Sequence, residues 1–168
     1  EGMSKALGQP ISVENKPGAG GAIPAEYVAR SAPDGYTLFL AGTTNLVLYP
    51  LLYSKRTYDA QKDFAGIGMV AYAPLVLVVP ASSPARSVAD FVRLAKSTSV
   101  AYGPSGNGTS MNVAGELFKA RAHVDMLHVA YKGSPPALIA LMAEEIGAVF
   151  DLVATANPMV EAGKLRAL

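Results

Sequence analysis

The sequence predicts an α/β fold with mostly parallel sheets. Short β-branched or aliphatic runs alternate with helix-like segments along all 168 residues, the strand, loop, helix, strand order of α/β chains. The composition, 51% apolar with only 16% charged residues, is that of a globular chain and not a disordered one. No repeat of fixed period divides the chain, so a solenoid or propeller is excluded.

The elements follow in order. Met3, Ala6 and Leu7 read as the last turn of a helix stopped by Gly8 and Pro10. Ile11–Glu14 is a strand candidate, followed by the Pro/Gly loop Lys16–Gly21 and a small-residue helix from about Ala22 to Arg30. Pro33-Asp34-Gly35 marks a turn before a buried-strand pattern, Tyr36–Leu40, that exits into the loop Gly42-Thr43-Thr44-Asn45. Two more strand-like runs, Ile67–Tyr72 and Leu75–Val79, stand nearly back to back and mark the crossover between two lobes.

After that crossover the cycle restarts. Ser87-Val88-Ala89-Asp90 is an acidic variant of the capping box and opens a helix. Val100–Tyr102 is a strand running into Gly103–Ser110, and a helix with Val113, Leu117 and Phe118 follows. Leu127–Ala130 is a strand with the exit loop Tyr131-Lys132-Gly133. Ser134 is expected to cap the next helix, with Pro135 in its first turn. Ala148–Phe150 is a strand ending at Asp151, and Asn157-Pro158 is expected to start a short helix that Gly163 stops.

Several classes of function are disfavoured at this stage. Net charge is +1, with basic residues scattered and no run, so no nucleic-acid footprint is present. The richest apolar run, Leu75–Ala81, contains Pro80 and is far shorter than the roughly 20 residues of a membrane span. Without cysteine there is no thiolate metal site or cysteine nucleophile, and an oxidising compartment is permitted. Glu1–Lys5 has no apolar run behind it and does not read as a signal peptide; the start reads as internal to something longer.

In open α/β sheets, ligands bind beyond the carboxyl ends of the strands. Four polar stretches occupy that position: Gly42–Asn45, Ser105–Ser110, Tyr131–Ser134 and Asp151. In Ser105-Gly106-Asn107-Gly108-Thr109-Ser110 two glycines permit close backbone approach. Thr109 and Ser110 open a helix whose first N–H groups favour an anion. Hydroxyls and the Asn107 amide add donors without charge, so a carboxylate could be held with no arginine. The plain alternative is a Gly-Asn-Gly turn followed by an N-cap. Likewise Asp151 reads as a ligand contact or a cap, Lys132 as a surface lysine and Tyr131 as a wedge.

Enzyme readings fare worse. Gly103-Pro104-Ser105-Gly106-Asn107 misses the nucleophile-elbow spacing by one place. Neither Gly106-Asn107-Gly108 nor Gly18–Gly21 completes a dinucleotide fingerprint or a P-loop. His123 and His128, the two histidines, lie five apart across a helix-to-strand junction and share no face for a metal. An acyl-transfer enzyme using Ser105 lacks an assignable base. The expectation is therefore no catalysis, no cofactor and no metal.

Read in order, several segments resemble one family. They are Val13–Gly21, Ala32–Leu38, Tyr58-Asp59, Lys62-Asp63-Phe64, Tyr102–Ser110, Ala114–Phe118, Val129–Ser134, Phe150-Asp151 and Ala162–Leu168. Together they are similar to the tripartite tricarboxylate transporter receptors, also called Bug-type solute receptors. The resemblance covers nearly the whole chain. It implies a type II periplasmic-binding fold of two doubly wound lobes, here cut at both ends, with residues 1–75 in the first lobe and 76–168 in the second. It also implies a signal-peptide-bearing precursor, a periplasmic location and a small organic carboxylate ligand. The implied partners are membrane subunits of a secondary transporter; neither nucleic acid nor direct membrane insertion is implied.

In that family two facing loops grip one carboxylate through amides, hydroxyls and waters. The resemblance places one loop before Glu1 and matches Ser105–Ser110 to the other. Gly42, Thr43, Thr44, Asn45, Tyr131 and Asp151 match cleft-lining positions. Three places depart from the family pattern: Met111-Asn112 for a common His-Leu, Leu152-Val153-Ala154 after Asp151, and Ala143-Glu144-Glu145 for a common Gly-Gly turn. The rival from another class is the effector domain of a transcription regulator with the same fold, which a DNA-binding helix-turn-helix before Glu1 would favour.

Overall fold

The computed structural model describes residues 2–103 and 106–168. Among these, five strands form: β1 (Leu75–Pro80), β2 (Val100–Tyr102), β3 (Met126–His128), β4 (Val149–Leu152) and β5 (Leu165–Ala167). The α-helices are α1 (Gly2–Leu7), α2 (Ala22–Ala29), α3 (Tyr49–Leu52), α4 (Val88–Ser97), α5 (Ser110–Ala122), α6 (Ser134–Met142) and α7 (Val153–Glu161).

β1 lies between β4 and β5 and runs antiparallel to both, with Val76 opposite Asp151 and Val79 opposite Arg166. β2 and β3 pair in parallel, Tyr102 opposite His128. A parallel bridge from Tyr102 to Ala148 joins the two groups, with the Gly103 N–H donating to the Ala148 carbonyl at 3.0 Å. The strand order is thus β3-β2-β4-β1-β5, four strands in one direction and β1 against them. β1 departs from the expected mostly parallel sheet, because it pairs with strands 71 to 89 residues away and no local turn signal announces that direction.

β1 is apolar at every position because both its faces are covered. Leu77 and Val79 pack with Phe91 of α4 and, through Phe150, with Phe118 of α5. Val76 and Val78 face Leu138 and Leu141 of α6 and Ala156 of α7. Gly115 lets α5 approach the sheet closely: a Cβ there would lie 2.3 Å from the Tyr102 ring. α4 starts as its sequence implies, the Ser87 Oγ accepting the Asp90 N–H at 3.2 Å. The Asp90 carboxylate accepts the Arg86 N–H at 3.1 Å and the Ser87 hydroxyl.

Residues 2–74 are organised around an aromatic stack. Tyr49 lies between Tyr53 and Tyr58, with ring centroids 4.8 and 4.9 Å away, and Tyr58 meets Phe64 edge-on. The strands expected at Ile11–Glu14, Tyr36–Leu40 and Ile67–Tyr72 are extended segments with no ladder among the described residues. Tyr36 is 92% and Tyr72 85% exposed. β propensity is expressed by packing against a neighbouring strand, and none lies beside them among the described residues.

Two helix starts also differ from expectation. α7 begins at Val153 and carries Pro158 inside it. α6 is capped by Gly133 with φ of 102°, while Ser134 is its first residue and turns its hydroxyl elsewhere. No helix among the described residues is long and apolar enough to cross a membrane.

Candidate functional site

The sequence-selected loops form a line of contacts at the end of the sheet where β2 and β4 terminate. The stretch Gly42–Asn45 is not an open loop. Thr43 caps a π-helical segment, Thr44–Leu48, that continues into α3. Wide turns of this kind are rare and recur at functional sites. The Asn45 carboxamide accepts the Gly42 N–H at 3.2 Å and donates to the Gly20 carbonyl at 3.4 Å. The Tyr58 hydroxyl holds the Asn45 carbonyl at 2.6 Å. Burial, and then neighbouring Tyr49, push the Tyr58 phenol up to about 12.

The second loop meets this segment directly. The Ser110 N–H, at the start of α5, donates to the Thr44 Oγ1 at 3.1 Å across 66 residues of sequence. Thr109, 9% exposed, caps α5 by accepting the Asn112 N–H at 3.3 Å. Its own proton goes to the Gly106 carbonyl at 2.8 Å. Asn112 reaches back to accept the Gly108 N–H at 3.1 Å. The loop is therefore held by a second capping box, Thr109-x-x-Asn112, built like the first.

The Thr109 hydroxyl and the Gly108, Ser110 and Asn112 N–H groups are all engaged within the protein. Asn107 remains exposed, its carbonyl 3.8 Å from where a Gly20 Cβ would stand. Ser105 lies outside the described residues. Gly106 and Gly108 adopt φ of 111° and 71°, and the Tyr53 hydroxyl stands 3.1 Å from the Cβ position of Gly108.

The third stretch adjoins the second. The Tyr131 carbonyl is 3.9 Å from the Cβ position of Gly106, and the Tyr131 ring packs on Gly103. Lys132 is exposed and Gly133 carries the turn into α6. Asp151, expected on the lining, is fully buried at 0% exposure. One carboxylate oxygen accepts the Ser134 hydroxyl and the Leu152 N–H, each at 2.7 Å, so it ties the start of α6 to the end of β4. The other oxygen has no hydrogen-bond partner among the described residues.

Reading the residues alone missed Asn112 and Tyr53, and the tie from Ser134 to Asp151. The Thr109-x-x-Asn112 spacing carried a signal for Asn112, since it repeats Ser87-x-x-Asp90. Nothing local connects Ser134 to Asp151 or Tyr53 to Gly108. A concavity of about 410 Å³ lies at the opposite end of the strands, beside Pro80, Ser82, Val100, Glu144 and Gly147, away from these loops.

Known proteins identify the family of the chain. The family model described as "Tripartite tricarboxylate transporter family receptor" matches residues 1–168, and the chain belongs to that family. It is 35% identical to a UPF0065 protein of Bordetella bronchiseptica, over 100% of this chain and 50% of that protein. It is 39% identical to a UPF0065 protein encoded in the gbd 5' region of Cupriavidus necator, over 100% and 51%. The chain thus spans about half the length of the curated relatives it matches.

Solved structures agree. The chain superposes with a TM-score of 0.93 and 33% identity on Rpa4515 of R. palustris with adipate, covering 99% of this chain and 56% of that one. For MatC of Rhodopseudomonas palustris with bound malate the TM-score is 0.86 and the identity 30%, over 98% and 57%. A structure described as a periplasmic transporter matches with a TM-score of 0.93 and 39% identity, over 99% and 56%.

Proposed function

We propose that this chain is part of a periplasmic receptor that captures a small organic carboxylate and delivers it to the membrane subunits of a tripartite tricarboxylate-type transporter. Residues 1–75 belong to its first lobe and 76–168 to its second, with the ligand between them. The observation that carries this reading is the rim running from Thr44 through Ser110 and Gly106 to Tyr131. It offers hydroxyls and amides, with Lys132 the one cation among the stretches Gly42–Asn45, Gly106–Ser110 and Tyr131–Gly133. Two structures that superpose on the chain are described with adipate and with malate, and both of those ligands are dicarboxylates.

Neutral donors suit that task. They hold a carboxylate by hydrogen bonds without the desolvation cost of a buried ion pair, and a receptor must also release its cargo. Thr43, Thr44, Asn107 and Ser110 face the ligand, Gly42, Asn45, Gly106, Gly108 and Thr109 shape the loops, and Tyr131, Lys132 and Gly133 close the side. Asp151 acts from below by fixing α6.

Thermal-shift and calorimetric titrations with dicarboxylates, hydroxydicarboxylates and tricarboxylates test the reading. One class should bind at a single site and raise the melting temperature with concentration, as mass action requires. Absence of heat and of any shift at about millimolar concentrations of every acid, where binding would be weaker than roughly −4 kcal/mol, would contradict it.

A further inference from the structure

We infer that Asn107 is a modification site: its carboxamide converts to aspartate or isoaspartate through a cyclic imide closed by the Gly108 nitrogen, at a rate set by the Asn112 side chain. The chemistry belongs to the chain itself and is independent of any ligand.

Imide closure needs an asparagine open to solvent and a following backbone nitrogen that nothing crowds. Asn107 is the one asparagine followed by glycine; Asn15, Asn45, Asn112 and Asn157 precede Lys16, Leu46, Val113 and Pro158. Side chains on the first three of those residues hinder the approach, and proline has no N–H to give up. Asn107 is exposed, and its carboxamide is in none of the loop's hydrogen bonds. Gly108 is not free to change. Its φ of 71° favours glycine, and a Cβ there would stand 3.1 Å from the Tyr53 hydroxyl. The turn therefore requires the very residue that leaves Asn107 open to attack.

The step balances with water as the co-reactant. The Gly108 N–H loses its proton to hydroxide, and the nitrogen attacks the Asn107 Cγ. The N–Cγ bond forms, the Cγ–Nδ2 bond breaks, and ammonia leaves with a proton from water. Water then opens the imide at one carbonyl to give aspartate, or at the other to give isoaspartate, which carries an extra methylene in the main chain.

Asn112 sets the pace. Its side-chain oxygen accepts the Gly108 N–H at 3.1 Å, and that is the proton the reaction must remove. An N–H held in this way reacts through local opening of the loop. Asn112 is held in turn by Thr109, which accepts its N–H and donates to the Gly106 carbonyl. The same bonds that shape the turn thus shield it. Isoaspartate lengthens the main chain inside the ring that the Thr109–Gly106 bond closes, and it adds a negative charge to a stretch, Gly106–Ser110, that has none. The modified loop therefore loses its hold on the start of α5.

The test compares the unaltered protein with Asn112→Ala and Asn112→Asp. Each is kept in mildly alkaline buffer below its melting temperature and read by peptide mapping for the amide-to-acid mass gain. Conversion should be confined to Asn107, with isoaspartate among the products. Asn112→Ala should convert several-fold faster than the unaltered protein. Asn112→Asp, whose carboxylate again accepts the Gly108 N–H, should stay close to the unaltered rate. Amide exchange gives a readout without any substitution: in the unaltered protein the Gly108 N–H should exchange more slowly than that of exposed Gly66. The converted fraction, separated by anion exchange, should melt at a lower temperature than the rest. No conversion at Asn107 in any of the proteins, or equal rates in the unaltered protein and Asn112→Ala, overturns the inference. A Gly108 amide that exchanges as fast as that of Gly66, or an Asn112→Asp rate as high as that of Asn112→Ala, overturns the shielding by Asn112. A converted fraction that melts with the rest overturns the loosening of α5.

Discussion

A single hydroxyl can do two structural jobs, and Thr109 does both: it accepts from the first turn of α5 and donates to the carbonyl of Gly106. The residue types of this loop were legible in the sequence. Their saturation was not, because it depends on Asn112 folding back and on Thr44 arriving from far along the chain. Asp151 shows the same limit. Its place at the end of β4 could be read, but its depth is set by Ser134, 17 residues earlier. Replacing Asp151 with alanine strips the Ser134 hydroxyl and the Leu152 N–H of their acceptor, at a cost of about 1–3 kcal/mol for each group left unsatisfied. Urea unfolding should show a lower midpoint of that order for Asp151→Ala. An unchanged midpoint would mean that water replaces the carboxylate without loss.

At the scale of the element, α5 connects the rim to the core. Its Gly115 lies against the Tyr102 ring, and the Tyr102 hydroxyl donates to the Glu116 carboxylate one residue further on. Burial, and then Glu116, raise the Tyr102 phenol well above its ordinary value. Tyr102, followed by nearby Lys119, lowers the Glu116 carboxyl below its own. A carboxyl whose folded-state pKa is depressed adds stability above its unfolded pKa, and that stability disappears as pH falls through the lowered value. Tyr102→Phe should therefore flatten the loss of stability below about pH 4.3, the ordinary glutamate value, measured as melting temperature against pH. An acid limb as steep as that of the unaltered protein would show the pair to be unimportant.

The capping box Ser87–Asp90 was the most readable element of all, since its spacing is local. Ser87→Ala should cost about 1 kcal/mol in chemical denaturation, and no loss would mean that water caps α4 equally well. α7 was misread because Pro158, a helix-starting residue by habit, stands here well inside the helix.

For the molecule as a whole, the alternation of strands and helices after residue 75 was legible because β1, β2 and β4 are largely buried between their neighbours. The reversed direction of β1 was not, since its partners β4 and β5 are remote. Before residue 75 the sequence shows strand propensity, but the extended segments lack ladders. Amide hydrogen exchange on this chain should separate the two cases. Residues 36–40 and 67–72 should exchange rapidly, while Leu77–Val79, buried between two strands, should be protected. Comparable protection in both would mean that the extended segments have found a partner strand.

The proposed receptor function puts a carboxylate where the first half of the chain meets the start of α5. A crystal structure of the protein with adipate or malate tests it most directly. One carboxylate should lie at the rim beside Thr44, Asn107 and Ser110, with the Ser110 N–H still on the Thr44 oxygen. Ligand density in the concavity beside Glu144 and Gly147, with this rim empty, would contradict it.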